Sequence, residues 1–569
     1  MIRATSSDLL VSSLLPNFTP HHESSLADYT TQEYFSNRRE SLFPDAQVYI
    51  ALTCLQYLSF DALKRGHYAR PRPLSNEYPF VLYAAVHWGH HARTNEETTL
   101  GMVQEFLSRK PNVAYATTIL LADRQHGLDD YGSDRTDFGE IHLLSFFGLG
   151  RAMGQLLQIN HSADSKDSEG QTPLSHAATR GHSEVMQLLL TRDDVDVNSK
   201  DKHGGSPLLH AAREGHLEAT KVLLARNDIE VNPKDRHRRS PLSYAAENGH
   251  LEVTKVLLAR NDIEVNPKDR HRRSPLSYAA ENGHLEVTKV LLAQDNIEVN
   301  LKDRLSRSPL SYAAEDGHSE VTKLLLARDD IDVNPKDEYS RSPLSFATKN
   351  GYLEVMKLFL ARDDVDVNSK DGFSRSPLSY AAKKGNLEVT KLLLARVDID
   401  VNSKDEYSCS PLLYAAENGK LEVTKLLLAR DDIKINLKDW CSRSPLWYAA
   451  KNRRLEVMKL LLARDDIDVN SKDECSRSPL SFAAENGHLE VTKLLLARDD
   501  IDVNSKDNRG QSPLAYAGHS EIVQLFKART TTGLSSLNDV VASRATMFSS
   551  YPRSDGMQYS FDAPRTCII

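Results

Sequence analysis

The chain has 569 residues, 26% of them charged, and a formal net charge of −8. That balance gives no general attraction to nucleic acid or to an anionic membrane surface. Five cysteines cannot staple a chain of this size, and no apolar run approaches the length that crosses a bilayer.

Residues 1–20 show no periodicity and are expected to be disordered. They lack the basic-then-apolar start of a secretory leader, so the expected location is cytoplasmic, with the nucleus as the other option. Residues 21–135 read as a helical domain. Ala27 to Phe35 starts one helix, and Phe43-Pro44 introduces a second that carries the run Ile50 to Leu55. A third covers the string Tyr78 to Arg93. It contains His87, His90 and His91, but no Cys or carboxylate stands at ligand spacing. These are expected to be structural histidines, and no metal or cofactor is implied.

From residue 136 to 529 the chain is periodic. Ser/Thr-Pro-Leu recurs at eleven prolines from Pro173 to Pro513, each 34 residues after the last. A strict period of this length means stacked supersecondary units. In the unit 236–269, Ser240 is placed to cap a helix and Pro241 takes its first position. Leu242, Ala245 and Ala246 form one apolar face, and Gly249 ends the helix through a positive φ. A second helix from about Leu251 to Ala259 buries Val253, Val256 and Leu257. Asn261 to Asn266 then turns outward, and residues 269–273 form a loop tip. With helices about 9–10 Å apart, eleven units predict a stack on the order of 100 Å long.

These motifs resemble the ankyrin repeat: Ser/Thr-Pro-Leu, then Ala-Ala, Gly-His, Val-x-x-Leu-Leu-Leu and Asp-Val-Asn. The resemblance implies an all-α ankyrin-repeat solenoid, with helix-turn-helix units and β-hairpin fingers, behind a small helical domain. Ser replaces the family's usual His after Pro-Leu (Ser243, Ser277, Ser311), which predicts a weaker bond to the neighbouring loop. The turn at Asn261-Asp262 is expected to use a left-handed backbone, which Asn and Asp tolerate. Residues 141–157 read as a worn repeat acting as the N-terminal cap. The shortened unit at 512–519 reads as the C-terminal cap. Arg453 stands where other units have Gly, which predicts a weak or bent joint at 452–454. Residues 530–569 read as a disordered tail.

The segment before the repeats resembles the connector between nucleotide-binding domain and ankyrin array in fungal NACHT-type signalling proteins. The strings are Tyr29-Thr30-Thr31-Gln32-Glu33-Tyr34-Phe35, Cys54-Leu55-Gln56-Tyr57-Leu58-Ser59-Phe60, and Tyr78 to Arg93. No Gly-x-x-x-x-Gly-Lys-Ser/Thr loop occurs in the chain, so the resemblance implies the sensor half of such a protein.

The frame is nearly constant while the tips vary. Units 236–269 and 270–303 differ at only four positions, an internal duplication. The tip residues Arg236, His237, Arg238, Arg239, Arg270, His271, Arg272, Arg273, Arg304 and Arg307 form a basic end. Tyr339, Arg341, Phe373, Arg375, Tyr407, Trp440, Arg443 and Arg477 form an aromatic and mixed end. In ankyrin proteins such tips meet a partner, and Arg and aromatic side chains suit the centres of interfaces. The alternative is that the tips are solvated and drift. A ladder from Tyr244 to Phe482 along the first helices either lines the groove or stacks ring on ring between repeats, and stacking is the expectation.

The expected function is therefore protein recognition without catalysis, small-molecule substrate, cofactor or membrane. One form is the sensor or scaffold module of a NACHT-type system. Another is a free-standing adaptor that presents a client to an enzyme in trans. A weaker alternative is a regulator that binds acidic partners or nucleic acid through the basic fingers. Because Asp and Glu follow the basic tips in every unit and the chain is acidic overall, an acidic protein partner, or plain solvation, is expected over nucleic acid.

Overall fold

A computed structural model describes residues 45–61, 63, 80–123, 138–159 and 162–531. The expectations for residues 1–20, for the helix starting at Ala27 and for nearly all of 530–569 lie outside these. The chain divides into two compact units. One comprises residues 1–202 with 225–229, and the other the remainder. The division does not follow residue 135: the helices before the repeats share a unit with the first repeats.

In the first unit, α1 (Ala46–Leu58) and α2 (Val81–Arg93) bury Ala51, Cys54, Leu55 and Leu58 with Ala84, Ala85, Trp88 and Ala92. α3 (Glu96–Ser108) is capped by Asn95, whose side chain accepts from the Thr98 amide at 3.3 Å. α4 (Lys110–Asp123) contributes Asn112, which donates to the Leu58 and Phe60 carbonyls at 2.8 and 3.0 Å and so satisfies the end of α1. His91 bonds Tyr83 Oη at 2.8 Å and Gln47 Oε1 at 2.5 Å.

The worn repeat forms α5 (Glu140–Phe147) and α6 (Gly150–Leu157), and every residue from Ile141 to Phe147 is buried. It is not the end of the stack that the sequence suggested. Phe147 packs on Trp88 at 5.0 Å between ring centres and covers Gly89, where a Cβ would come within 2.1 Å of the ring. The Glu96 carboxylate of α3 accepts from the Ala152 amide of α6 at 2.7 Å. A terminal repeat would turn that apolar face to water. Here the preceding helices cover it.

His142 lies fully buried in α5. Its Nδ1 accepts from the Gly139 amide and its Nε2 donates to the Ser165 carbonyl. Burial, helped by neighbouring His176, pushes its pKa down to about 4. The ring is therefore neutral in the folded chain where an unfolded chain would begin to bind a proton. Its contribution is complete above the unfolded pKa of about 6.5. It is lost as pH falls toward 4, at up to about 1.4 kcal/mol per pH unit. We expect the first unit to lose stability over that window while an NMR titration shows the His142 ring still neutral at pH 5. A ring that titrates near 6.5 would remove this account.

In the second unit each first helix begins at the proline of the period, as at Pro207–Glu214, Pro241–Glu247 and Pro275–Glu281. The preceding serine caps it, Ser240 Oγ accepting from the Ser243 amide at 3.2 Å. Gly249, at φ 74°, turns the chain into the second helix, Leu251–Leu258. Asn261 and Asp262 are not among the described residues with positive φ, contrary to expectation. The turn is held instead by Arg260, which grips Asp262 at 2.9 Å and reaches back to the Leu224 carbonyl.

An asparagine ladder then joins the repeats. From Asn232 to Asn470, each Nδ2 donates to the carbonyl thirty residues on at 2.7–2.8 Å. Each Oδ1 accepts from the amide thirty-two residues on at 2.8–3.0 Å. Both ends of one amide side chain thus satisfy backbone groups of the next repeat. At the last unit the first helix shrinks to Pro513–Tyr516 and the second lengthens to Ser520–Thr531, burying Ile522 and Phe526.

The backbone turn at Arg453 is the same as in the glycine-bearing units. Arg454 N still bonds the Ala449 carbonyl at 2.8 Å, as His250 N bonds Ala245 at 2.9 Å in a glycine-bearing unit. Arg453 simply adopts the glycine geometry, at φ 56°. At Gly215, Gly249 and Gly283 the histidine of the following repeat occupies the space where a Cβ would be, 2.5 Å away at Gly283. His318 there bonds the Glu281 carbonyl through Nε2. His488, facing Arg453, bonds Ala450 through Nδ1 instead. Arg453→Gly should relieve both strains and stabilise the chain by roughly 1 kcal/mol, read from urea unfolding. An unchanged or lowered midpoint would show that the position is unstrained.

Candidate protein-recognition surface

Each finger is organised by the aspartate at its base. Asp235 Oδ1 accepts from the His237 and Arg239 amides, both at 2.8 Å. This closes a tight turn whose third residue is left-handed: Arg238 at φ 61°, Arg272 at 63°, Ser306 at 60°. Neighbouring fingers share one backbone bond, such as Arg270 N to the His237 carbonyl at 2.8 Å and Arg304 N to that of His271 at 2.8 Å. One bond per neighbour does not make a strand ladder, and no strand occurs among the described residues. The expected β-hairpins are thus turns joined edge to edge.

The second carboxylate oxygen serves the first helix. Tyr244 donates to Asp235 Oδ2 at 2.8 Å, Tyr278 to Asp269 at 2.7 Å and Tyr448 to Asp439 at 2.8 Å. The first repeat uses His176 with Asp167 in the same way, at 2.8 Å. The loop bond expected to weaken with Ser243 has therefore moved one residue along, to the aromatic ladder. Burial and the bonded Asp235 push the Tyr244 hydroxyl up to about 12. Tyr278, Tyr312 and Tyr380 shift in the same direction for the same reasons, so all remain donors.

The rings do not stack on one another as expected. Arginines interleave them: Arg273 lies 4.1 Å from the centre of Tyr278 and 4.6 Å from that of Tyr312. Arg239, Arg307, Arg341, Arg375, Arg443 and Arg477 hold the same half-buried position at the last tip residue. Their carboxylate partner depends on the helix residue eight positions on. Where that residue is Glu, the arginine pairs with it: Arg239 with Glu247 at 2.7 Å, Arg307 with Glu315 at 2.7 Å, and Arg273 with Glu281 and Arg477 with Glu485 likewise. Where it is Lys349, Lys383 or Lys451, the arginine turns back to its own finger aspartate. Arg341, Arg375 and Arg443 then lie 2.6, 2.9 and 2.8 Å from Asp337, Asp371 and Asp439. Like-charge repulsion by the lysine explains the switch. Sequence reasoning named these arginines but missed their Glu and Asp partners, although the Glu-or-Lys choice at fixed spacing is visible in the repeats.

The eleven other candidates point outward. Arg236, His237, Arg238, Arg270, His271, Arg272 and Arg304 are exposed. So are Tyr339, Phe373, Tyr407 and Trp440, at 55, 49, 42 and 54%. Tyr407 and Trp440 touch edge to face, 5.9 Å between ring centres. In that finger Cys409 replaces the arginine, and Glu417 is raised by burial. The candidates thus separate into seven that tie fingers to helices and eleven that the array leaves at its surface.

The family model for ankyrin repeats matches residues 141–235, 229–303, 296–371, 378–473 and 446–532, well over half of the chain. The chain belongs to the ankyrin-repeat family, an all-α helical-repeat solenoid whose repeats commonly mediate protein–protein interaction. The first match begins inside the worn repeat. No curated protein matches the chain. Among the described residues, no helix is long and apolar enough to cross a membrane.

The two classes of tip residue should behave differently. Tyr278→Phe leaves the buried Asp269 Oδ2 without its donor and should cost about 1–3 kcal/mol in urea unfolding. Arg238→Ala should stay within about 0.5 kcal/mol. Equal effects would mean that the tips share one structural role.

Proposed function

We propose that this chain recognises a partner protein along the outer row of its finger tips, with no chemistry of its own. The observation that carries this reading is the separation just described. The array consumes the last tip arginine and the basal aspartate for its own stability. It leaves the side chains of the first two tip residues largely at the surface, where Arg, Tyr, Phe and Trp are exposed in successive fingers, with Tyr339 and Phe373 touched only on one side by Arg341 and Arg375. Exposed aromatic rings in a row are unfavourable in water unless something covers them.

The setting we favour is the sensor or scaffold part of a fungal NACHT-type signalling protein. Support comes from the ordered strings at 29–35, 54–60 and 78–93. A stand-alone adaptor presenting a client to an enzyme in trans is the second reading. A transcript that encodes a Gly-x-x-x-x-Gly-Lys-Ser/Thr loop in frame upstream would favour the first. A cytoplasmic setting suits either.

Site-specific photocrosslinking tests the surface. A crosslinker at Phe373 should capture a partner that one at Lys357, exposed on a second helix, does not. Capture of the same proteins at both positions, or only at Lys357, would rule out the finger row.

A further inference from the structure

The basic tips enclose an open cleft of about 840 Å³, lined by His237, Arg238, Lys268, Arg270, Arg272 and Arg304 among others. Its one carboxylate, Asp269, is already used: Oδ1 accepts from the His271 and Arg273 amides and Oδ2 from Tyr278. Most arginines elsewhere in this unit are tied to carboxylates. Those ending the second helices grip the aspartate two residues on, as Arg260, Arg328 and Arg362 do. Those at the finger bases pair as described above. Among the described residues Arg238, Arg270, Arg272 and Arg304 have no carboxylate partner, and neither does Lys268. Five cations from three successive fingers therefore converge on one cleft whose lining holds a single carboxylate, Asp269, although Glu264 and Glu298 line the adjoining cleft with Arg238 and Lys268, so positive charge is in excess there.

We propose that this cleft holds an acidic stretch of a polypeptide, which continues as an extended chain over the exposed rings of Tyr339, Phe373, Tyr407 and Trp440. The proposal rests on the recognition role given to the fingers and names the chemistry of the partner. Charge complementarity selects an anionic ligand. The neighbouring fingers select a polypeptide over a nucleic acid. Glu338, Glu406 and Glu474 stand at the tip position that Arg236, Arg270 and Arg304 occupy. A phosphate backbone running along the row would meet these carboxylates, whereas a peptide can change from acidic to apolar side chains at that point. Spacing sets a further condition. Repeats recur about 9–10 Å apart, and a polyproline-II chain brings every third side chain to the same face after about 9.3 Å. The apolar part of the ligand should therefore carry its anchors at every third residue.

The test uses the full chain and fluorescent peptides at about 0.15 M salt. One peptide is a run of six glutamates. A second adds leucine at every third residue, and a third moves the leucines to every second residue. A thymidine oligonucleotide of equal charge is the fourth ligand. We expect the second peptide to bind tightest. Replacing Arg238, Arg270, Arg272 and Arg304 together by Ala should weaken both it and the glutamate run by roughly tenfold or more, with circular dichroism unchanged. Replacing Phe373, Tyr407 and Trp440 by Ala should weaken the leucine peptide and leave the glutamate run alone. Three outcomes would overturn the proposal: no acidic peptide binds, the arginine variant binds as well as the parent chain, or the oligonucleotide binds tighter than the peptides. Leucines at every second residue binding best would overturn the extended geometry. A partner crosslinked at Phe373 alongside any of these failures would leave the recognition role standing and remove only the acidic ligand.

Discussion

Everything in the repeat array depends on a translational constraint: backbone groups left open by one repeat must be met by the next. The asparagines from Asn232 to Asn470 do this with both ends of their side chains, bridging residues thirty and thirty-two positions on. Histidines after the connecting glycines do it for the ends of the first helices, as His284 does for the Glu247 carbonyl. The asparagine is kept at every step from Asn232 to Asn470, whereas the histidine position changes to Tyr352, Asn386, Lys420 and Arg454 in other repeats. Units 236–269 and 270–303, which differ at only four positions, keep both.

The same constraint sorts the fingers. The basal aspartate closes the turn and, in the repeats with tyrosine, receives its hydroxyl, which ties finger to helix. Where the last tip residue is Arg, its guanidinium lies over one or two aromatic rings and pairs with a carboxylate. What remains free is the outer edge, and the chain's unusual side chains are concentrated there. Exposed side chains on that edge are expected to change at little cost to the frame. That division of labour is what the ankyrin architecture offers for binding, and it carries the functional reading here.

Much of this was legible in the chain. The period, the Ser-Pro cap, the connecting glycine and the apolar stripe of each second helix follow from local geometry, and each repeat displays them again. Arg453 was recognisable as an anomaly from its place in the period. Its consequence was not, because the strain is absorbed by the His488 ring of the next repeat, thirty-five residues away. The worn repeat looked like an end because its consensus had decayed. Its burial under α2 and α3 rests on Trp88, Gly89 and Phe147 meeting across more than fifty residues, which no local pattern announces.

By itself the sequence determined the class of fold, the length of the unit, the sites of capping and the set of residues from which any binding surface must come. These are properties of short stretches, set by backbone geometry and by hydrophobic periods of one or two turns. Tertiary structure decided which tip residues are used up and which are free. An arginine such as Arg273 looks the same in the chain as Arg272. One lies between Tyr278 and Tyr312 and meets Glu281, and the other stands in water. The left-handed turn at the third tip position turns adjacent side chains in different directions. Whether each then finds a partner depends on helices from two different repeats.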